Sequence, residues 1–219
     1  MTVVRAVIFD LDGVLVDSEQ VWDQVRRDLA ADHGIAWPED ATRAMMGMSS
    51  PEWSRYMRET VGVPLPAAAI NDDVLARVLA AYEAELPLLP GAREAVERLA
   101  AEWPLGLASS SNREIIDVVL ERMGVAERFA ATVSSEEVPR GKPAPDVYVE
   151  AARRVGVATG DVVAIEDSHN GMRSADAAGM RVIAIPNPHF PPDDDALALA
   201  GLTLGGLDEL TPDAVRTAG

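Results

Sequence analysis

The chain opens on an apolar run from Val3 to Phe9, interrupted only by Arg5 and Ala6, that reads as a buried strand and ends in Asp10, Leu11, Asp12 and Gly13. Beyond Asp17 the period becomes helical. Asp17 stands where a cap belongs, Gln20 follows three residues later, and Val21, Trp22, Val25 and Leu29 recur at helical spacing. A second short helix is expected from Pro38 to Met46, closed by Gly47. A third opens with Ser50 as cap and Pro51 in the first turn, where its missing N–H costs nothing. A fourth is expected from about Asp72 to Glu85, on Val74, Leu75, Val78, Leu79 and Tyr82. No strand pattern interrupts this stretch.

Pro87-Leu88-Leu89-Pro90-Gly91 is a rigid, turn-prone joint, after which helix and strand patterns alternate. Helices are expected over Ala92–Glu102, Arg113–Met123, Asp146–Val155 and Asn170–Ala178, and strands over Leu105–Ala108, Ala131–Ser134, Val162–Ile165 and Val182–Ile185. Pro186 to Asp195 is a polar loop, and a weak strand (Leu202–Leu204) and a short helix from Pro212 end the chain. Such alternation predicts right-handed βαβ crossovers and a parallel sheet with helices on both faces. The opening strand has the same buried character and belongs to that sheet. Residues 1–16 and 87–219 are therefore expected to form an α/β core, and residues 17–86 an inserted α-helical cap.

Composition narrows the function. A length of 219 residues, 48% of them hydrophobic and 25% charged, suits a soluble core with a smaller insertion. The net charge of −17 leaves no surplus of Lys and Arg to neutralise a nucleic-acid backbone. With no cysteine there are no disulfides and no thiolate metal sites, which fits a reducing cytoplasm. Neither a signal peptide nor an apolar stretch approaching the roughly 20 residues of a membrane span is recognisable. A cytoplasmic monomer is expected.

The candidate chemistry lies at the strand ends. In open parallel sheets, ligands bind beyond the carboxyl ends of the strands. Those ends carry Asp10 and Asp12, then Ser109-Ser110-Ser111-Asn112, then Arg140-Gly141-Lys142-Pro143, then Glu166-Asp167-Ser168. Two carboxylates at the end of a buried strand are costly unless a cation or a shared proton compensates them. Hard oxygen ligands favour Mg²⁺, and with Mg²⁺ and Lys142 the crevice turns from repelling a phosphate to attracting one. Asp10 is the natural nucleophile, forming an aspartyl-phosphate. Asp12, two residues on, is placed to protonate the leaving oxygen and later to activate water. Ser109, with Ser110 beside it, offers hydroxyl and N–H groups to the phosphate.

Four ordered stretches carry a resemblance: Asp10-Leu11-Asp12-Gly13-Val14-Leu15-Val16-Asp17, Ala108-Ser109-Ser110-Ser111-Asn112, Gly141-Lys142-Pro143-Ala144-Pro145-Asp146 and Ile165-Glu166-Asp167-Ser168-His169-Asn170-Gly171. Together they resemble the motifs of the haloacid dehalogenase superfamily, subfamily I, and the helical insertion resembles its phosphatase and β-phosphoglucomutase-like branch. The resemblance implies a Rossmann-like core, with Asp10 as nucleophile and metal ligand and Asp12 as acid/base with its carbonyl on the metal. Ser109 and Lys142 would hold the phosphoryl group, and Asp167 with Glu166 would complete the Mg²⁺ shell. The superfamily's C2-haloacid dehalogenases lack the second aspartate, so Asp12 speaks against dehalogenation. The cap histidine and phosphate-gripping arginine of β-phosphoglucomutases are replaced here by Trp22 and Ser50, which favours a phosphatase over a mutase.

The reading is thus a Mg²⁺-dependent phosphatase of a small phosphorylated metabolite, such as a sugar phosphate. The alternatives are a phosphomutase and a non-catalytic binding protein on the same fold. Asn112 and Arg113 are candidate contacts for the leaving group. Asp146 suits a helix-dipole or lysine-orienting role, and His169 a loop position facing the cap. His33 and His189 read as surface residues, and Asp193-Asp194-Asp195 as a solvated helix start.

Overall fold

The structure is a computed structural model and describes residues 3–188 and 191–218; His189 lies outside them. Strands β1 (Ala6–Phe9), β2 (Leu105–Ser109), β3 (Phe129–Ser134), β4 (Val162–Glu166), β5 (Arg181–Ala184) and β6 (Leu202–Thr203) form one sheet in the order β3-β2-β1-β4-β5-β6. Every pairing is parallel; Val7 lies opposite Leu105 on one side and Val163 on the other. The first strand in the chain is thus central in the sheet, and the strand order reverses at it.

Helices α5 (Ala92–Ala100), α6 (Arg113–Met123), α7 (Asp146–Val155) and α8 (His169–Ala177) cover the sheet. The strand period of two divides β1 between two cores: Val7 and Phe9 pack in one, Ala6 and Ile8 in the other. Covered on both faces, β1, β2 and β4 are buried at every position, which is why their sequences are apolar up to the Ser109 and Glu166 that end β2 and β4. The short helix α9 (Asp194–Leu197) begins within the acidic run, and α10 (Pro212–Thr217) is capped by Thr211.

Between β1 and α5 stand α1 (Glu19–Asp32), α2 (Ala41–Met45), α3 (Ser50–Tyr56), a π-helical turn (Met57–Val61) and α4 (Ala67–Ala84). Three expectations are corrected. Asp17 does not cap α1; the preceding residue is Ser18, whose hydroxyl donates instead to Asp12 Oδ1 at 2.6 Å. The cap of α3 is Ser49, not Ser50, with Glu52 completing the capping box. Helix α4 starts before Asp72, because the alanines after Pro66 favour helix without adding to the apolar stripe.

The chain leaves and re-enters the sheet along one hydrogen-bonded ribbon. Asp17 N donates to Pro87 O at 2.8 Å, and Leu89 N donates to Leu15 O at 3.0 Å. Among the described residues no helix is long and apolar enough to cross a membrane.

Candidate active site

The carboxyl ends of β1, β2 and β4 meet where the strand order reverses, and they bring Asp10, Ser109 and Glu166 to one crevice. Lys142 comes from the loop before α7. Its ammonium is buried, 2.8 Å from Asp10 Oδ1 and 2.6 Å from Glu166 Oε1. Burial alone would lower the lysine; the Asp10 and Glu166 carboxylates more than reverse this and hold it above its ordinary value.

Glu166 is engaged at both oxygens. Oε1 accepts from Lys142 and, at 2.8 Å, from the Tyr148 hydroxyl, while Oε2 accepts from the Asp167 and Ser168 N–H groups and the Ser168 hydroxyl. The carboxylate thus sits at the start of α8, where the helix dipole favours negative charge. Only a glycine at position 171 leaves room for it, since a Cβ there would overlap the carboxylate.

Asp10 and Asp167 are less satisfied. Both are buried, and Oδ1 of each lacks a hydrogen-bond partner; the Asp10 oxygen meets Lys142 as an ion pair without hydrogen-bond alignment. Burial pushes both carboxyls well above the usual range. Glu166 adds repulsion in each case, and Lys142 offsets part of it. Oxygens of Asp10, Glu166 and Asp167 lie within 4.8 Å of one another. Buried, crowded and partly unpartnered carboxylates fit a hard divalent cation. Gly13, at φ +78°, lets the turn after β1 pass against Asp167, where a Cβ would overlap the carboxylate.

Asp12 stands apart from this cluster. Oδ1 accepts from Ser18, Oδ2 accepts from Ser111 Oγ at 2.6 Å, and Ser109 Oγ is 3.4 Å from Oδ2. The two aspartates have therefore divided: Asp10 faces Lys142, and Asp12 faces hydroxyls. Ser110 borders the crevice, but its hydroxyl donates to Gly47 O of the helical segment at 3.0 Å.

The two residues expected to touch the leaving group have other partners in this structure. Asn112 is buried beside the crevice, not in it; Oδ1 accepts from Ser50 Oγ, and Nδ2 donates to Asn71 and Glu136. Arg113 turns outward to Glu137, Asp117 and Thr132. Asp146 does not orient the lysine, because it pairs with Arg140 at 2.8 Å. His33 is exposed, while His169 borders the seam between α2 and α8 and accepts from Arg173 at 2.9 Å.

Sequence reasoning missed three participants. Tyr148 is two residues past Asp146 and looks in sequence like any apolar position of α7. Glu19 and Arg26 line the crevice with Trp22 and Trp53, and Met45 to Met48 close it from the helical side. The i, i+3, i+7 spacing of Glu19, Trp22 and Arg26 was the available signal, since it puts all three on one face of α1. The space left is a cavity of about 40 Å³, enough for roughly three waters.

The geometry agrees with comparison to known proteins. A family model of haloacid dehalogenase-like hydrolases matches residues 4–179. Hexitol phosphatase B of Escherichia coli is 36% identical over 214 residues, covering 95% of each chain. A phosphorylated carbohydrates phosphatase of Thermotoga maritima is 32% identical, covering 90% of this chain and 91% of its own. The crystal structure of CbbY from Rhodobacter sphaeroides in complex with phosphate superposes with a TM-score of 0.85 at 27% identity, over 97% of this chain and 99% of that one. With four motifs in order at one crevice and a family match over most of its length, this chain belongs to the haloacid dehalogenase-like hydrolases.

Proposed function

We propose that the protein is a Mg²⁺-dependent phosphatase of small phosphate monoesters, sugar phosphates among them, working through an aspartyl-phosphate on Asp10. The observation that carries this reading is the division of the two aspartates. One carboxylate has an unaligned oxygen beside a buried lysine; the other is held by serine hydroxyls within the same crevice. The named phosphatases among its relatives support it.

In this reading an Asp10 oxygen attacks phosphorus, the ester P–O bond breaks, and the Asp12 carboxyl gives its proton to the departing oxygen. Asp12 then takes a proton from water, which attacks the phosphorus. The bond to Asp10 breaks and inorganic phosphate leaves. Lys142, fixed by Glu166 and Tyr148, balances charge on the phosphoryl oxygens, and Ser109 with Ser110 flanks them. Asp10 and Asp167, with Glu166 beside them and the Asp12 carbonyl that the family uses, would hold the Mg²⁺. When bound, it supplies positive charge to the phosphoryl group and its surrounding carboxylates.

Residues 17–86 serve as a cap over a core of 1–16 and 87–219. The small cavity and the ribbon at Leu15–Asp17 and Pro87–Leu89 support a cap that opens for substrate and closes for chemistry. Ser50 is tied to Asn112, so it does not take the place of the mutase arginine. The test is hydrolysis of p-nitrophenyl phosphate, which Asp10→Asn is expected to abolish. Full activity in that variant, or in excess chelator, overturns the mechanism.

A further inference from the structure

Among the described residues that line the crevice, Glu19 is the acid that the mechanism leaves without work. It lies outside the cluster of Asp10, Glu166 and Asp167, and no serine holds it as Ser18 and Ser111 hold Asp12. Its side chain forms no hydrogen bond and no ion pair with any described residue. Burial pushes its carboxyl up to about 7, with Arg26 opposing the rise and Asp12 adding to it.

An acid in the first turn of α1 suits the helix dipole, but that need is met without burial. Gln20, next in the same turn, is exposed, and a carboxylate there would keep its water. Glu19 instead faces the crevice with no donor from the protein. An ionised carboxylate so placed offers about four lone-pair sites to whatever enters.

The charges around it decide which donor fits. Arg26 borders the same crevice, its guanidinium carbon 5.1 Å from the ring centroids of both Trp22 and Trp53, and a positive charge there disfavours a cationic leaving group. Glu19 and Asp12 disfavour an anionic one. Hydroxyls remain, since they donate to a carboxylate and carry no charge. Glu19 also follows directly on Ser18, whose hydroxyl holds Asp12, the acid assigned to the departing oxygen. It stands two residues past Asp17 in the ribbon, so it is among the parts of the cap that move least from the sheet when the cap is raised. We propose that Glu19 is a specificity-determining residue that accepts hydrogen bonds from the leaving group's hydroxyls nearest the ester oxygen, selecting neutral polyols over alkyl and charged leaving groups. This deepens the phosphatase reading and rests on it.

The experiment compares six-carbon monoesters. Measured are kcat and KM on sorbitol 6-phosphate and mannitol 1-phosphate, on n-hexyl phosphate, which lacks the hydroxyls, and on 6-phosphogluconate and glucosaminitol 6-phosphate, which add a carboxylate and an ammonium. Wild-type protein is expected to favour at least one hexitol phosphate over each of the other three by at least about tenfold in kcat/KM. Glu19→Ala is expected to lower kcat/KM on that hexitol phosphate by about 10- to 100-fold, chiefly through KM, and on hexyl phosphate by less than about threefold. Glu19→Gln restores part of the preference, because the amide oxygen still accepts while the charge is lost. A preference unchanged in Glu19→Ala, an equal loss on hexyl phosphate, or a charged ester used as well as the hexitol phosphate overturns the proposal.

Should Glu19→Ala fail to fold, inhibition of wild-type p-nitrophenyl phosphate hydrolysis decides. The hexitol phosphate must compete at least about tenfold more tightly than hexyl phosphate, and equal competition overturns the proposal. Wild-type turnover of the aryl ester separately tests the phosphatase reading. That reading stands if the aryl ester is hydrolysed while Glu19 proves irrelevant, and a protein that hydrolyses none of these esters overturns both.

Discussion

Gly171 and Glu166 are in such close approach that a single added carbon at 171 would overlap the carboxylate. The contact matters because Glu166 holds the ammonium that faces Asp10. The start of α8 therefore presses the charge network of the crevice together from behind.

The first prediction follows from that contact. In Gly171→Ala either α8 or Glu166 must shift, which should destabilise the protein by about 1–3 kcal/mol, as overpacking does. Displacing Glu166 also releases Lys142, so kcat for aryl phosphate hydrolysis should fall at least tenfold. Thermal unfolding and steady-state turnover check the two effects; wild-type values for both would show that the carboxylate moves freely.

Asp12 is assigned to proton transfer, a contribution of about 10² to 10⁴ in rate. Asp12→Asn should lose that factor in kcat, with the fold preserved because the amide oxygen still accepts from one of Ser18 and Ser111 and the amide nitrogen can donate to the other hydroxyl. Phosphoenzyme trapped on Asp10 after rapid acid quench would place the loss in the second half-reaction.

Mg²⁺ is expected to stabilise the protein by relieving the buried carboxylates. At a concentration a hundredfold above Kd the gain is about 2.7 kcal/mol. It should vanish with chelator and be largely lost in Asp167→Asn, which removes a charge from the cluster. A melting temperature in wild-type protein that ignores Mg²⁺ would contradict the assignment of these ligands.

Asn112 and Arg113 should behave differently from substrate contacts. Asn112→Ala leaves Ser50 and Glu136 without their buried partner and should cost about 1–3 kcal/mol in stability. Arg113→Gln breaks partly exposed ion pairs and should cost no more than about 1 kcal/mol, with kcat/KM nearly unchanged. Denaturant unfolding together with kinetics on one phosphate ester distinguishes the two. A large loss in kcat/KM in Arg113→Gln would return that residue to the site.

Much of this protein is legible in its sequence because the determining constraints are local. A strand buried on both faces must be an apolar run, so Ala6–Phe9 and Val162–Glu166 declare themselves. Glycine and proline mark the turns, and carboxylates at buried strand ends mark the chemistry. The central place of the first strand is not among these: that it belongs to the sheet is legible, but its position between β2 and β4 comes from the tertiary structure.

What tertiary structure alone decided is which polar groups face one another. Asn112 and Arg113 follow the Ser109-Ser110-Ser111 run in sequence, yet the turn into α6 aims one at Ser50 and the other at Glu137. Tyr148 and Arg26 looked like ordinary helix positions, and only the packing of α7 behind Glu166 and of α1 against Trp53 set one against a carboxylate and the other over an indole ring. Periodicity fixes the face of a helix, but the partner on that face comes from elements distant in the chain. For that reason Asp10 and Lys142 were readable as types of residue, and the 2.8 Å between them was not.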